Sequence, residues 1–258
     1  MHLPDDAAPL DPQAQRAADR RRWLGAFNLS LGFVLVLLVV FSLQSAVDLR
    51  AWTVQPWSTA GLLGLLGAPL LHGSIEHLAA NAISLLLLGT LAGGMYPRAS
   101  ARALPLMWLG SGLGAWLLGA TGSHHLGASG VTHGLMFLVF VLGLLRRDRP
   151  AIAAAMIAFF LYGGMLLTVF PREAGISWQA HLGGALGGII AALLWRRLDP
   201  QGPRRKYSWE LEEEQREMEA RSGDDPLEPP SPDEVPVLWR RPEQGDVGTV
   251  LPFRRRGD

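Results

Sequence analysis

The stretch GASGVTHGLMFLVFVLGLL, residues 127–145, begins with small and polar residues and continues as an uncharged apolar run. Such a run is typical of a transmembrane helix, because about 20 apolar residues are needed to cross a hydrocarbon core of about 30 Å. Its first turns nevertheless contain a hydroxyl group on Ser129 and an imidazole on His133. Polar side chains at such a depth are costly in lipid, which indicates that they face a protein interior or a water-filled cavity.

Apolar blocks of similar length recur along the chain and predict an all-α membrane protein with six spans. A soluble helix would show a polar face on every turn, and these blocks do not. A shorter apolar stretch at residues 60–71 contains three glycines and a proline and is predicted to be interfacial or re-entrant. The predicted spans cover about residues 24–43, 75–95, 103–120, 127–145, 151–170 and 178–195.

The first apolar block also fits a signal peptide, with Arg20–Arg22 as its basic region and Ser45-Ala46 as its cleavage end. However, the block is about twice as long as a typical signal core, and about 20 mostly polar residues precede it. We therefore predict that it is an uncleaved signal anchor, the first transmembrane helix.

The distribution of arginine predicts the orientation of the spans. Arginines cluster before the first span, between spans two and three, between spans four and five, and after span six, whereas the opposite loops contain only Arg50 and Arg172. By the positive-inside rule, both termini are predicted to be cytoplasmic. The expected organisation is a cytoplasmic segment at residues 1–22, a six-span core at 23–197, and a polar, Pro-rich cytoplasmic tail at 198–258 with a charged helix near its start.

The chain contains no cysteine, so disulfides, thiolate catalysis and cysteine zinc sites are excluded. His124 and His125 are adjacent in the loop before span four, but acidic ligands for a three-ligand zinc site are missing from the neighbouring sequence. We expect these two side chains to be loop histidines rather than metal ligands. Neither a metal nor another cofactor is predicted.

Four polar side chains are predicted to share one layer of the membrane. Spans two, four and six run in the same direction, and each has its polar residues in its first turns: His77 and Asn81, then Ser129, then His181. At a rise of 1.5 Å per residue these groups lie roughly 3–9 Å below the outer helix ends. Any one of them alone would be explained by helix packing or an interhelical hydrogen bond. Their coincidence at one depth favours a functional site.

Ser129 and His181 have the chemistry of a nucleophile and its general base. A neutral imidazole accepts the hydroxyl proton during attack on a carbonyl and later returns it to the leaving amine. Candidate donors to the resulting oxyanion are the Asn81 amide, the His77 ring and the Ser129 backbone N–H. No acidic residue is present near this layer in spans four and six, so a dyad is predicted, and another group must orient the His181 ring.

Neighbouring residues have supporting roles or none. His72 either helps to orient the site or is simply an interfacial histidine. His133, four residues after Ser129, either contacts His181 or fills space. Small residues permit close approach of the helices: Gly127, Gly130 and Gly134 in span four, and the small-xxx-small pair Gly184 and Gly188 in span six.

These motifs together resemble the rhomboid family of intramembrane serine proteases over about residues 24–197. The matching segments are HGSIEHLAAN at 72–81, GASG at 127–130 and AHLGGALGG at 180–188. The resemblance implies that Ser129 is the nucleophile, that His181 is the base, and that His77, Asn81 and the Ser129 N–H form the oxyanion hole. It implies a compact six-helix bundle with an outward-opening water-filled cavity, gated by the fifth span and the loop at residues 171–177.

The resemblance further implies that the partners are transmembrane protein substrates within the lipid bilayer, most simply in a bacterial inner membrane. It also implies that no nucleic acid, metal or nucleotide takes part.

Two features depart from the family pattern. His133 stands where family members often have a tyrosine stacked on the catalytic histidine, and LRAW at 49–52 reverses a family Trp-Arg pair. A non-catalytic membrane-protein binder with the same fold is the alternative. A small transporter is disfavoured because the sequence shows no internal symmetry.

Overall fold

The computed structural model describes residues 12–171, 175–199 and 208–222. Most of the predicted cytoplasmic tail, the first 11 residues, and residues 172–174 of the predicted gating loop lie outside this range. The chain divides into two compact units at residue 200, and each is considered by itself. The described part of the second unit is one charged helix, Ser208–Ser222, close to the predicted charged segment.

The first unit is helical, and a helix overlaps each predicted span. We name these helices α1 to α6: Pro12–Leu43, Ile75–Met95, Pro97–Leu118, Ser129–Arg146, Arg149–Tyr162 and Trp178–Trp195. The fifth span was predicted to reach residue 170, but its helix ends at Tyr162 and the chain continues as the 3-10 turn Gly163–Leu166. Residues 60–71 form three successive short helical turns rather than a span. The described residues form no strand beyond one isolated antiparallel bridge, between Val54 and His125.

By length and composition, four helical segments of the described residues could cross a membrane: Gln13–Leu43, Ile75–Met95, Ser129–Arg146 and Arg149–Leu166. The helices α3 and α6 fall outside this group. Helix α3 has arginines in its first turns, and α6 contains Gln179, His181 and four glycines. Both helices pack against other helices along much of their length.

Local chemistry explains where the helices begin. The side chain of Ser74 caps α2 by accepting the His77 backbone N–H at 3.2 Å. Asp148 caps α5 through the Ala151 N–H at 2.8 Å. Helix α3 begins at Pro97, earlier than predicted, because proline suits a first helical position and Asp199 accepts two of its free N–H groups. Arg98 and Arg102, expected in a loop, therefore lie in the first turns of α3.

Helix α4 occupies the middle of the unit and is packed against α2, α3, α5 and α6. It begins at Ser129, two residues later than predicted, because Gly127 has a φ of +116° that an α-helix cannot contain. Most of its residues are buried. The nucleophile candidate is therefore the first residue of the most enclosed helix.

Glycines on two faces of α6 let it approach both α3 and α4. A Cβ atom on Gly184 or Gly188 would overlap the backbone carbonyl of Gly130 or Gly134 in α4. A Cβ atom on Gly183 or Gly187 would meet the backbone of α3 in the same way. The second face, which is directed at α3, was not part of the sequence-based expectation. Because these contacts are backbone to backbone, the position of His181 relative to α4 is tightly constrained.

Candidate active site

One cavity of about 1160 Å³ contains all four polar residues that the sequence places at one depth. His77 and Asn81 line it from α2, Ser129 from the start of α4, and His181 from α6. The wall also includes His133 and residues of the loops before α4 and α6. Among the described lining residues there is no Asp, Glu, Lys or Arg.

The Ser129 hydroxyl and the His181 ring are in direct contact. The distance from Ser129 Oγ to His181 Nε2 is 2.9 Å. The other ring nitrogen, Nδ1, lies 3.0 Å from the backbone carbonyl oxygen of Thr168. A carbonyl can only accept, so Nδ1 carries the proton and Nε2 is left as the acceptor for the serine hydroxyl. This is the tautomer that a general base requires.

His133 stacks on His181. The ring centroids are 3.8 Å apart and the planes are inclined by 15°. His133 Nδ1 donates to the Ser129 carbonyl oxygen at 2.6 Å, and Nε2 lies 2.8 Å from the Thr168 hydroxyl. The sequence left open whether His133 contacts His181 or only fills space, and in the structure the two rings are in contact. The His133 ring fixes the plane of the His181 ring.

His77 and Asn81 lie beside the loop that leads into Ser129. A Cβ atom on Gly127 would be 2.6 Å from His77 Cε1 and 3.8 Å from Asn81 Nδ2, so only glycine leaves room for this approach. Asn81 donates one amide hydrogen to the His77 carbonyl at 3.0 Å, and the second is available to the cavity. As the first residue of α4, Ser129 has a backbone N–H without a partner inside the helix. These donors are suited to a negatively charged oxygen.

His72 is almost fully buried behind this group. Its ring meets the His77 ring edge-on at 5.1 Å, and its Nε2 accepts the Ala128 N–H at 3.5 Å. Burial, and then repulsion from His77, lowers the pKa of His72 to about 4, so the ring stays neutral at neutral pH. The Gln44 carboxamide exchanges two hydrogen bonds with the His72 backbone. His72 thus supports the site from behind, and Gln44 is a supporting residue that sequence analysis missed.

The two loop histidines lie at the mouth of the cavity. His124 Nδ1 is 2.7 Å from the Thr53 hydroxyl. His125 Nδ1 is 2.6 Å from the Ser177 hydroxyl, just before α6, and its Nε2 is 2.9 Å from Ser123 Oγ. The described residues contain no group of three or more His, Cys, Asp or Glu that could hold a metal ion. These rings therefore connect loops across the mouth.

Thr168 is the main residue of the site that no sequence motif indicates. Its carbonyl oxygen accepts from His181 Nδ1, and its hydroxyl is bonded to His133 Nε2. No motif could have identified it, because a backbone carbonyl has no sequence signature and Thr168 is 13 residues from His181.

The chain is similar to known proteins along much of its length. The family profile described as Rhomboid domain matches residues 55–198, more than half of the chain. An uncharacterized protein of Mycobacterium tuberculosis is 38% identical over 202 residues, covering 72% of this chain and 81% of the relative. An uncharacterized protein of Mycobacterium leprae is 33% identical over 204 residues, covering 75% and 80%.

A more distant relative has a family name. RHOMBOID-like protein 12, mitochondrial, of Arabidopsis thaliana is 26% identical over 206 residues, covering 71% of this chain and 60% of the relative. The family predicted from the sequence motifs is thus confirmed by the profile match. This multi-pass membrane protein belongs to the rhomboid family.

Proposed function

We propose that this protein is an intramembrane serine endopeptidase that cleaves transmembrane or juxtamembrane peptide bonds of other membrane proteins. Members of the rhomboid family are generally proteases of this kind, and they act on membrane-protein substrates. The observation that carries the proposal is the 2.9 Å contact between Ser129 Oγ and His181 Nε2, with Nδ1 directed at a carbonyl. A rhomboid relative that only binds membrane proteins would not need the His181 tautomer in which Nδ1 carries the proton and Nε2 accepts.

The reaction follows from these positions. Ser129 Oγ attacks the substrate carbonyl carbon while its proton passes to His181 Nε2. The carbonyl oxygen becomes an oxyanion, which the Ser129 N–H, the Asn81 amide and the His77 ring stabilise. Collapse of the tetrahedral intermediate breaks the C–N bond, and His181 returns the proton to the leaving amine. Water, deprotonated by His181, then hydrolyses the acyl-enzyme and restores the Ser129 hydroxyl.

The membrane arrangement is part of the same proposal. All six long helices cross a bacterial inner membrane, both termini are cytoplasmic, and the cavity opens to the opposite side. The arginine distribution supports this orientation, and mycobacterial relatives support a bacterial membrane. The reaction as written uses only side-chain and backbone groups of the chain, so the proposal includes no metal or other cofactor.

Labelling with a fluorophosphonate tests the proposal without a known substrate. The full chain in detergent micelles should be labelled covalently, and Ser129→Ala should abolish both labelling and cleavage of a model transmembrane substrate. Ser177→Ala is the matched control, since Ser177 is also bonded to a histidine in the same cavity and should not be the labelled residue.

Two results would contradict the proposal. Labelling and cleavage that persist in Ser129→Ala would assign the chemistry to another residue. A folded wild-type chain that is neither labelled nor able to cleave would be the non-catalytic binder.

A further inference from the structure

Thr168 belongs to a segment that differs from the helices around it. Helix α5 ends at Tyr162, and the chain continues as a 3-10 turn, Gly163–Leu166. Beyond it, the backbone bonds are single turns of 3.1–3.4 Å, such as the Leu167 N–H to Gly164 O. Leu167 and Phe170 are exposed, whereas Val169 is buried. The segment 163–170 is therefore held in place by few backbone bonds, and its seating depends on side-chain and carbonyl contacts.

Both stacked imidazoles contact this segment at the same residue. The Thr168 carbonyl oxygen accepts from His181 Nδ1 at 3.0 Å, and the Thr168 hydroxyl is 2.8 Å from His133 Nε2. His133 Nδ1 must donate to the Ser129 carbonyl, so in the neutral ring Nε2 is an acceptor. The single hydrogen of the Thr168 hydroxyl is then donated to His133 Nε2 at 2.8 Å, in place of the Met165 carbonyl oxygen at 3.1 Å. One residue thus fixes the orientation of His133 and the tautomer of His181.

We propose that Thr168 is a positioning residue for the general base, and that the segment 163–170 must be seated against α4 and α6 for His181 to be active. In this arrangement His133 transmits the seating of Thr168 to the His181 ring through the stack. If the segment moves away, His181 loses its only described acceptor at Nδ1, and its proton can occupy either nitrogen. The tautomer that carries the proton on Nε2 cannot accept the Ser129 proton. The inference rests on the proposed protease function.

The test removes only the hydroxyl. Thr168→Val keeps the side-chain shape and the backbone carbonyl but leaves His133 Nε2 without a donor. We expect kcat for a model transmembrane substrate to fall roughly tenfold, which is the size of a lost buried hydrogen bond, with KM unchanged. The rate of fluorophosphonate labelling should fall by the same factor. Thr168→Ser, which retains the hydroxyl, should restore both.

Thr90→Val is the matched control. The Thr90 hydroxyl bonds to the Leu86 carbonyl within α2, and Thr90 is outside the cavity. This variant should leave kcat and the labelling rate at wild-type values. Melting temperatures of all variants check that they fold, and Thr168→Ala replaces Thr168→Val if the latter cannot be purified.

A double variant tests the route through His133. If Thr168 acts through that ring, His133→Phe combined with Thr168→Val should be no slower than His133→Phe alone. Full additivity of the two effects, or Thr168→Val with wild-type kcat, would overturn the inference. The outcome differs from failure of the proposed function, in which the wild-type chain itself would show neither labelling nor cleavage.

Discussion

Two of the histidine rings described in this cavity, those of His181 and His125, are hydrogen-bonded to serine hydroxyl groups, and the ring with the shortest such bond is not the candidate for catalysis. Ser177 Oγ is 2.6 Å from His125 Nδ1 at the mouth, whereas Ser129 Oγ is 2.9 Å from His181 Nε2 deeper in the cavity. A short distance alone is therefore a poor guide to reactivity. The difference lies in what surrounds each pair.

The far nitrogen of each ring shows the first difference. His181 Nδ1 faces a carbonyl oxygen, which can only accept, so its tautomer is fixed. His125 Nε2 faces the Ser123 hydroxyl, which accepts from the ring only while it donates to the Ala120 carbonyl. If that hydroxyl rotates, the tautomer of His125 reverses. Burial, and then repulsion from His124, lowers the pKa of His125, so this ring too is neutral, but it is not committed to the role of base.

The serine backbones show the second difference. Ser129 begins α4, with the donors of His77 and Asn81 beside the preceding loop. Ser177 precedes α6, and its hydroxyl, which would ordinarily cap that helix, is bonded to His125 instead. The Ser177–His125 contact connects the loop before α4 to the start of α6. The first pair therefore has the surroundings that the proposed reaction needs, whereas the second connects the loops.

The largest effect should come from closing the space beside Ser129. Gly127→Ala would place a Cβ atom 2.6 Å from His77 Cε1 and displace this proposed oxyanion donor. We expect turnover and fluorophosphonate labelling to fall about 100-fold or more, the usual effect of losing one such donor.

Gly122→Ala is the control for backbone strain. Gly122 also has a positive φ, of +80°, but no neighbouring atom lies within 4 Å of the position that an added methyl group would take. The activity of this variant should stay within a few-fold of wild type. An equal loss in both variants would mean that strain in the loop, and not contact with His77, controls the activity.

An intermediate effect is expected from removing the ring nitrogens that hold the stack. His133→Phe keeps an aromatic ring against His181 but loses the bonds to the Ser129 carbonyl and the Thr168 hydroxyl. At about 1 kcal/mol or less for each neutral bond, kcat should fall roughly tenfold. Steady-state cleavage of a model transmembrane substrate in liposomes measures this kcat. A kcat equal to wild type would show that stacking alone positions His181.

The smallest effect should come from the pair at the mouth. His125→Phe removes the bonds to Ser177 and Ser123 without reaching the dyad. Turnover should fall by about fivefold at most, since only the entry to α6 is loosened, and labelling should remain on Ser129. Mass spectrometry of the labelled peptide identifies the serine. Label on Ser177, or a loss of activity as large as in Gly127→Ala, would contradict the assignment of catalysis to the Ser129–His181 pair and of loop connection to the Ser177–His125 pair.

Much of this arrangement was predictable because it depends on residue type and periodicity. The apolar blocks predicted the long helices, and His77, Asn81, Ser129 and His181 were predicted to meet because helices that run in one direction bring their first turns to one level. The start of α4 was placed two residues early, since a glycine at φ +116° looks like any other glycine in a sequence. The early start of α3 depends on Asp199, about 100 residues away.

The sequence by itself therefore determined the family, the helical class and the identity of the candidate dyad, because these follow from hydrophobic length, side-chain chemistry and short motifs. Only the tertiary structure decided what holds the base. The carbonyl of Thr168, the stacking of His133 and the glycine contacts of α6 are relations between distant segments. A backbone carbonyl is present at every residue, so packing alone determines which one faces His181.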